Sequence, residues 1–198
     1  MKIRTFGWLI ALAIATSPVF ADQYEIRAVG DFYQPLSQYG YWVQHPEFGW
    51  CWRPDRVVAE WRPYADGRWL RTADGWYWDS DEPWAWACYH YGRWFTDARH
   101  GWLWQPGTEW ASAWVDWRES DDYVGWAPVP PRYSIVYTEQ IIIAPTTYVF
   151  VERRHFCEPV RPVIIERRHC DEVYRHTRSE EHTSELQSHS DLVCRLLL

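Results

Sequence analysis

The sequence predicts an all-β protein: tandem Trp-rich antiparallel hairpins, arranged as a meander in one small domain and followed by an extended or strand-rich C-terminal segment. Three observations carry this. Gly-Trp-x-Trp recurs at Gly49, Gly75 and Gly101, each copy 26 residues after the last. Tryptophans come in pairs two residues apart, the spacing that puts both side chains on one face of a strand. Gly, Pro and Asp punctuate the chain at short intervals, and no apolar stripe of helical period runs through it.

Each copy has the same parts. Gly-x-Trp precedes Gly-Trp-x-Trp by eight or nine residues, at Gly40-Tyr41-Trp42, Gly67-Arg68-Trp69 and Gly92-Arg93-Trp94. Between Trp69 and Trp76 lies Asp74-Gly75, the positive-φ pair that tight hairpins favour. Trp76 and Trp78 should therefore project together while Tyr77 faces away, and Trp50 with Trp52, Trp84 with Trp86, and Trp102 with Trp104 should do likewise. Arg sits beside Trp at Arg53, Arg62, Arg68, Arg93 and Arg118. Neighbours in a strand face opposite ways, so any Arg–Trp contact must reach across strands, from one hairpin to the next.

Residues 1–21 carry Lys2 and Arg4, an apolar run from Phe6 to Ala15, and small residues before Asp22. This is the pattern of a cleaved secretory signal; about ten apolar residues are too few to cross a bilayer core that needs roughly 20. Residues 22–30 read as a linker, and residues 31–131 as the Trp-rich domain, which holds 8 Arg against 15 Asp plus Glu. Beyond Pro131 Trp disappears. β-Branched runs at Ile135–Tyr137, Ile141–Ile143, Tyr148–Val151 and Val163–Ile165 read as strands or edge segments of a C-terminal extension over residues 132–177. Residues 178–198 differ again: RSEEHTSELQS and DLVCRLLL match, in one frame, the translation of a sequencing-library adapter, and are read as a non-native tail.

Composition excludes several activities. The formal net charge of -7 argues against a general nucleic-acid binder, which needs a basic surface. Lys2 is the sole lysine, so a processed chain has none for a phosphate loop or a Schiff base. Gly-x-Ser-x-Gly, His-Glu-x-x-His and Rossmann glycine patterns are absent from the sequence. No cofactor is expected.

The acidic groups Asp79, Asp81, Glu82 and Asp116, Glu119, Asp121, Asp122 fit solvated turns. A pair of them across a cleft would suit glycoside hydrolysis, with Asp81 or Asp122 as the candidate, and Asp79 to Glu82 offers oxygen ligands without an EF-hand pattern. Glu-Arg-Arg-His occurs at Glu152 and again at Glu166, followed by Cys157 and Cys170, but zinc-ligand spacing is missing and no metal is expected. In an oxidising compartment Cys51 and Cys88 are a candidate disulfide pair; a Cys157–Cys170 bridge would need a wider loop than a hairpin turn over residues 158–162. Connectivity stays open.

Asp31-Phe32-Tyr33-x-Pro35-Leu36, Trp61-Arg62-Pro63-Tyr64, Ser80-Asp81-Glu82-Pro83-Trp84, Tyr89-His90-Tyr91-Gly92-Arg93-Trp94 and Tyr123-Val124-Gly125-Trp126-Ala127-Pro128 occur in this order. Together they resemble the family of bacterial exported proteins called domain of unknown function 6600, related to YXWGXW-repeat proteins. The resemblance implies a Gram-negative envelope protein and no assigned activity. Two readings of the tryptophans follow from their number. Trp76, Trp78, Trp84, Trp86, Trp102 and Trp104 are candidate aromatic platforms for a ligand, or they fill the layer between short hairpins. The expected function is that of a noncatalytic exported module in the periplasm or at the cell surface, binding glycan or peptidoglycan. The alternatives are a glycan hydrolase and a stress-linked module that binds another envelope protein. No transmembrane segment is expected after signal cleavage.

Overall fold

The computed structural model describes residues 26–55, 57–131 and 143–179. The signal-like segment, most of the tail, Ile135–Tyr137 and Ile141–Ile142 lie outside the described residues. Strands dominate, as predicted, in three sheets of antiparallel hairpins.

A short helix, α1 (Tyr33–Leu36), leads into β1 (Gly40–His45) and β2 (Gly49–Pro54). β3 (Arg68–Thr72) and β4 (Gly75–Asp79) form the second hairpin. After one helical turn, α2 (Ala85–Cys88), come β5 (Tyr91–Asp97) and β6 (Gly101–Trp110), and then β7 (Val115–Glu119) and β8 (Tyr123–Pro128). The chain closes with β9 (Val149–Glu152), α3 (Cys170–His176) and the two-residue β10 (Arg178–Ser179). The first and third hairpins share one sheet, ordered β1-β2-β6-β5. The second sheet is ordered β10-β7-β8-β9, while β3 and β4 pair only with each other.

The repeat has a physical basis in its two glycines. Gly49, Gly75 and Gly101 open the second strand of each hairpin at φ of 70°, 103° and 71°, a region where a Cβ is strained. In the Asp74-Gly75 turn only Gly75 takes positive φ, so the expected pair reduces to one residue. The earlier glycine serves another purpose. A Cβ on Gly40, Gly67 or Gly92 would lie 2.7, 2.8 or 2.9 Å from the indole of Trp52, Trp78 or Trp104 respectively. Each bare backbone is a cradle for the tryptophan of the facing strand.

Register then aligns indoles in every hairpin: Trp42 with Trp52, Trp69 with Trp78, Trp94 with Trp104. A fourth pair, Trp117 with Trp126, completes the pattern in β7–β8. The main core collects Trp52, Trp69, Trp78, Trp94, Trp104 and Trp126 between the sheets. Tilted and edge-on ring contacts run through it, such as Trp69–Trp78 at 4.9 Å.

The composition boundary at Pro131 is not a boundary of the fold. β9 pairs with β8, placing Phe150 opposite Gly125, and Phe156 packs among Trp76, Trp117 and Trp126. Val149 and Val151 face the main core while Phe150 faces α3 through a second cluster with Ala127, Tyr148, Cys170 and Val173. Both faces of this sheet are thus covered, which explains the unbroken apolar run.

The C-terminal extension departs from the strand-rich expectation. Among the described residues of the extension only Val149–Glu152 is a strand; Arg161–Val163 is a 3-10 turn, and Cys170–His176 is helical. The two Glu-Arg-Arg-His copies share one shape: an extended Glu, then a 3-10 turn, then a buried Phe156 or Cys170. Arg178 and Ser179, assigned to the tail, pair with Glu119 and Arg118 of β7.

Candidate functional site

The family-type motifs meet at one junction. Trp61 Nε1 donates to Glu82 Oε1 at 2.6 Å, and Tyr89 Oη donates to Glu82 Oε2. Ser80 Oγ ties the same loop to the Asp66 carbonyl at 2.6 Å. Tyr64 is fully buried at φ 59°, rare for a non-glycine residue. Its hydroxyl donates to the Tyr89 carbonyl at 2.8 Å and accepts from Trp114 N at 3.1 Å, while its own carbonyl accepts from Trp126 Nε1 at 2.9 Å. Arg62 Nη1 reaches the Tyr148 carbonyl at 2.8 Å. Trp61-Arg62-Pro63-Tyr64 is therefore a four-residue anchor whose side chains reach two other motifs and the C-terminal extension, while its Tyr64 carbonyl holds the indole of a third.

Trp61 and Arg62 of this anchor line a groove of about 780 Å³. Val57, Trp61 and Trp84 line it together with Arg161, Ile164 and Arg167. Burial pushes the Glu82 carboxyl above its ordinary value, against the pull of the Tyr89 and Trp61 donors. Asp66 pairs with Arg161 at 2.7 Å and Glu166 with Arg168 at 2.8 Å, so much of the charge on the rim is internally matched.

The predicted platforms scatter. Trp78 and Trp104 have no exposed surface, and Trp76 is 8% exposed. These three are core residues, because a stacking platform must offer a ring face to solvent. Trp84 lines the groove but is only 7% exposed. Trp84 and Trp86 do not share a strand face as expected; the chain turns at Pro83 and places Trp86 within α2, where it packs on Phe32 at 6.0 Å. Trp86 and Trp102 are half-buried and lie outside the groove. Among the described residues the most open indoles are Trp50 (50%) in β2 and Trp110 (45%) at the end of β6. Trp61, the half-buried groove residue, carried a legible signal in its motif but was not among the candidates.

Other expectations are also corrected. Cys51 and Cys88 are free and buried, so no bridge joins them. Cys51 points to the side of β2 opposite Trp52, whereas Cys88 packs in the Trp52 core; the sheet itself separates them. Cys170 is also free, which excludes a Cys157–Cys170 bridge. Burial and the Asp97 charge raise the Cys51 thiol to about 12. Among the described residues no group of His, Cys, Asp and Glu is arranged to hold a metal ion. Asp81 and Asp122 line different clefts, the first with Asp66 and Asp79, the second with His169 and Glu172. In the first cleft Asp79 is paired with Arg68 at 2.9 Å.

Among the described residues arginines reach aromatic rings, but not from one hairpin's strand to the next. Arg93 lies 3.3 Å over the ring of Trp114 in the loop after β6, Arg118 lies 3.7 Å over Tyr174 of α3, and Arg71 lies 5.7 Å over Trp76 within its own hairpin. Arg53 and Arg68 instead bond their direct strand partners, Tyr41 and Asp79.

Fold and junction define a class: an all-β protein of Trp-paired hairpins whose sequence motifs interlock through indole and phenol hydrogen bonds. The chain belongs to a family of unknown function, DUF6600, whose model matches residues 33–133. That span runs from α1 through β8, whereas Arg161, Ile164 and Arg167 of the groove lie beyond it. No curated protein and no solved structure matches the chain.

Proposed function

We propose that this protein is a noncatalytic module of the bacterial cell envelope, exported by its signal-like N-terminus, that binds glycan through the Trp61 groove. One observation carries the reading. A half-buried indole, fixed at its N–H by Glu82, stands in an open groove beside apolar side chains and carboxylates, the mixture that suits a sugar's apolar face and its hydroxyl rim. The rigidity of the junction supports it further, since a preorganised wall loses little entropy on binding.

Titration of tryptophan fluorescence with solubilised peptidoglycan fragments and neutral oligosaccharides tests the proposal. A saturable change that Trp61→Ala abolishes, with the near-ultraviolet circular dichroism retained, is the expected result. A flat response across the panel overturns it, and release of new reducing ends during the incubation would point to a hydrolase instead.

A further inference from the structure

Among the described residues, no carboxylate is bonded to Arg62, which lines the groove. Arg62 is 7% exposed, and its only oxygen partner among the described residues is the Tyr148 carbonyl. Arg167 lines the same groove, exposed, with no carboxylate paired to it among the described residues. Asp66 pairs with Arg161 and Glu166 with Arg168, while Glu82 is held by the neutral donors Trp61 and Tyr89, and Glu60 lines the same groove. Burial pushes the Arg62 guanidinium below its usual range and the nearby Arg167 pushes the same way, against the opposing pull of Cys170. Two like charges near each other, one of them almost buried, are stabilised by an anion between them.

We infer that Arg62 and Arg167 form the anion-recognising end of the groove, and that the saccharide it binds carries a carboxylate. The inference rests on the groove being the glycan site proposed above. A single carboxylate suits it better than a polyanion, because Glu60 and Glu82, which no arginine pairs among the described residues, repel further negative charge in the same groove. Arg62 is the fixed donor, held by Tyr148; Arg167 is the outer donor that closes on the ligand.

N-Acetylmuramic acid and N-acetylglucosamine differ by a lactyl carboxylate and make a matched pair of probes. With the whole protein, the acid should bind at least about tenfold more tightly, a difference equal to one charge-assisted hydrogen bond. Arg167→Ala and Arg167→Gln should bring the two sugars within about twofold of each other while leaving the melting temperature of the free protein unchanged. Equal binding of both sugars to the wild type overturns the anion site and leaves the glycan reading standing. A response to neither sugar, together with binding of a hexaglutamate peptide that Arg167→Ala removes, overturns the saccharide for both proposals. A response to none of the three overturns both.

Discussion

The indole of Trp78 lies across the bare backbone of Gly67, where a Cβ would come within 2.8 Å of Trp78 Cζ2 and 2.4 Å of the Asp79 carbonyl. Gly40 and Trp52, and Gly92 and Trp104, repeat the arrangement. Each contact involves backbone as well as ring, so a side chain cannot be accommodated by a rotamer change alone. Gly67→Ala is expected to destabilise the protein by about 2–3 kcal/mol in urea unfolding. Gly30→Ala, with nothing within 4 Å of its Cβ, should change stability little. Equal effects of the two substitutions would refute the cradle.

Equivalent tryptophans are not equivalently bonded. Trp52 Nε1 donates to the Leu36 carbonyl at 3.2 Å, whereas Trp78 Nε1 is buried with no partner. Both rings are fully buried. Phenylalanine at either position loses packing, but only Trp52→Phe also deletes a hydrogen bond, the one to the Leu36 carbonyl, which keeps Tyr39 N as its remaining donor. Trp52→Phe should therefore cost about 1 kcal/mol more than Trp78→Phe, measured by the same unfolding titration.

His90 gives the fold a pH dependence. Its ring stacks on Tyr77 at 4.4 Å, and Nδ1 lies 3.1 Å from the Ser112 carbonyl and 3.2 Å from that of Ala111. Burial pushes its value down from 6.5 to about 4, although those carbonyls favour the charged form. The unfolded chain thus takes up the proton first. The contribution is fully present above pH 6.5 and is lost as pH falls from there toward 4, on the order of 3 kcal/mol in total. His90→Gln should flatten the stability–pH slope in that window by close to one proton. An unchanged slope would show that His90 titrates normally.

Phe156 joins the C-terminal extension to the tryptophan core, with ring contacts at 4.9 Å to Trp76 and 6.1 Å to Trp126. Phe156→Ala is expected to cost about 3–5 kcal/mol. Arg154→Ala, which removes an exposed pair with Glu152 and an exposed hydrogen bond to His155, should cost less than about 1 kcal/mol. A chain ending at Pro131 also lacks β9 and should not develop the near-ultraviolet circular dichroism of the full protein.

The repeated hairpins were legible because their signals are local. A turn glycine and alternating indoles act within about ten residues, and Gly49, Gly75 and Gly101 show both. The fourth hairpin escaped notice because Trp117 and Trp126 pair without the Gly-x-Trp and Gly-Trp-x-Trp framing of the others. Trp84 and Trp86 misled for the opposite reason: spacing of two implies a shared face only in a strand, and Pro83 starts a turn that leads into α2. Trp61 was visible as a motif residue, but its place in a groove depends on Ile164 and Arg167, about a hundred positions away.

By itself the sequence determined the β class, the hairpin repeats and the direction in which paired indoles point, since these follow from backbone period and from glycine's freedom at positive φ. Only the tertiary structure decided which indoles are core and which remain open. That outcome depends on β2 pairing with β6, on β9 closing the second sheet, and on the extension folding back over Trp76 and Trp126. Burial is a property of what arrives from elsewhere in the chain, and no local spacing encodes it.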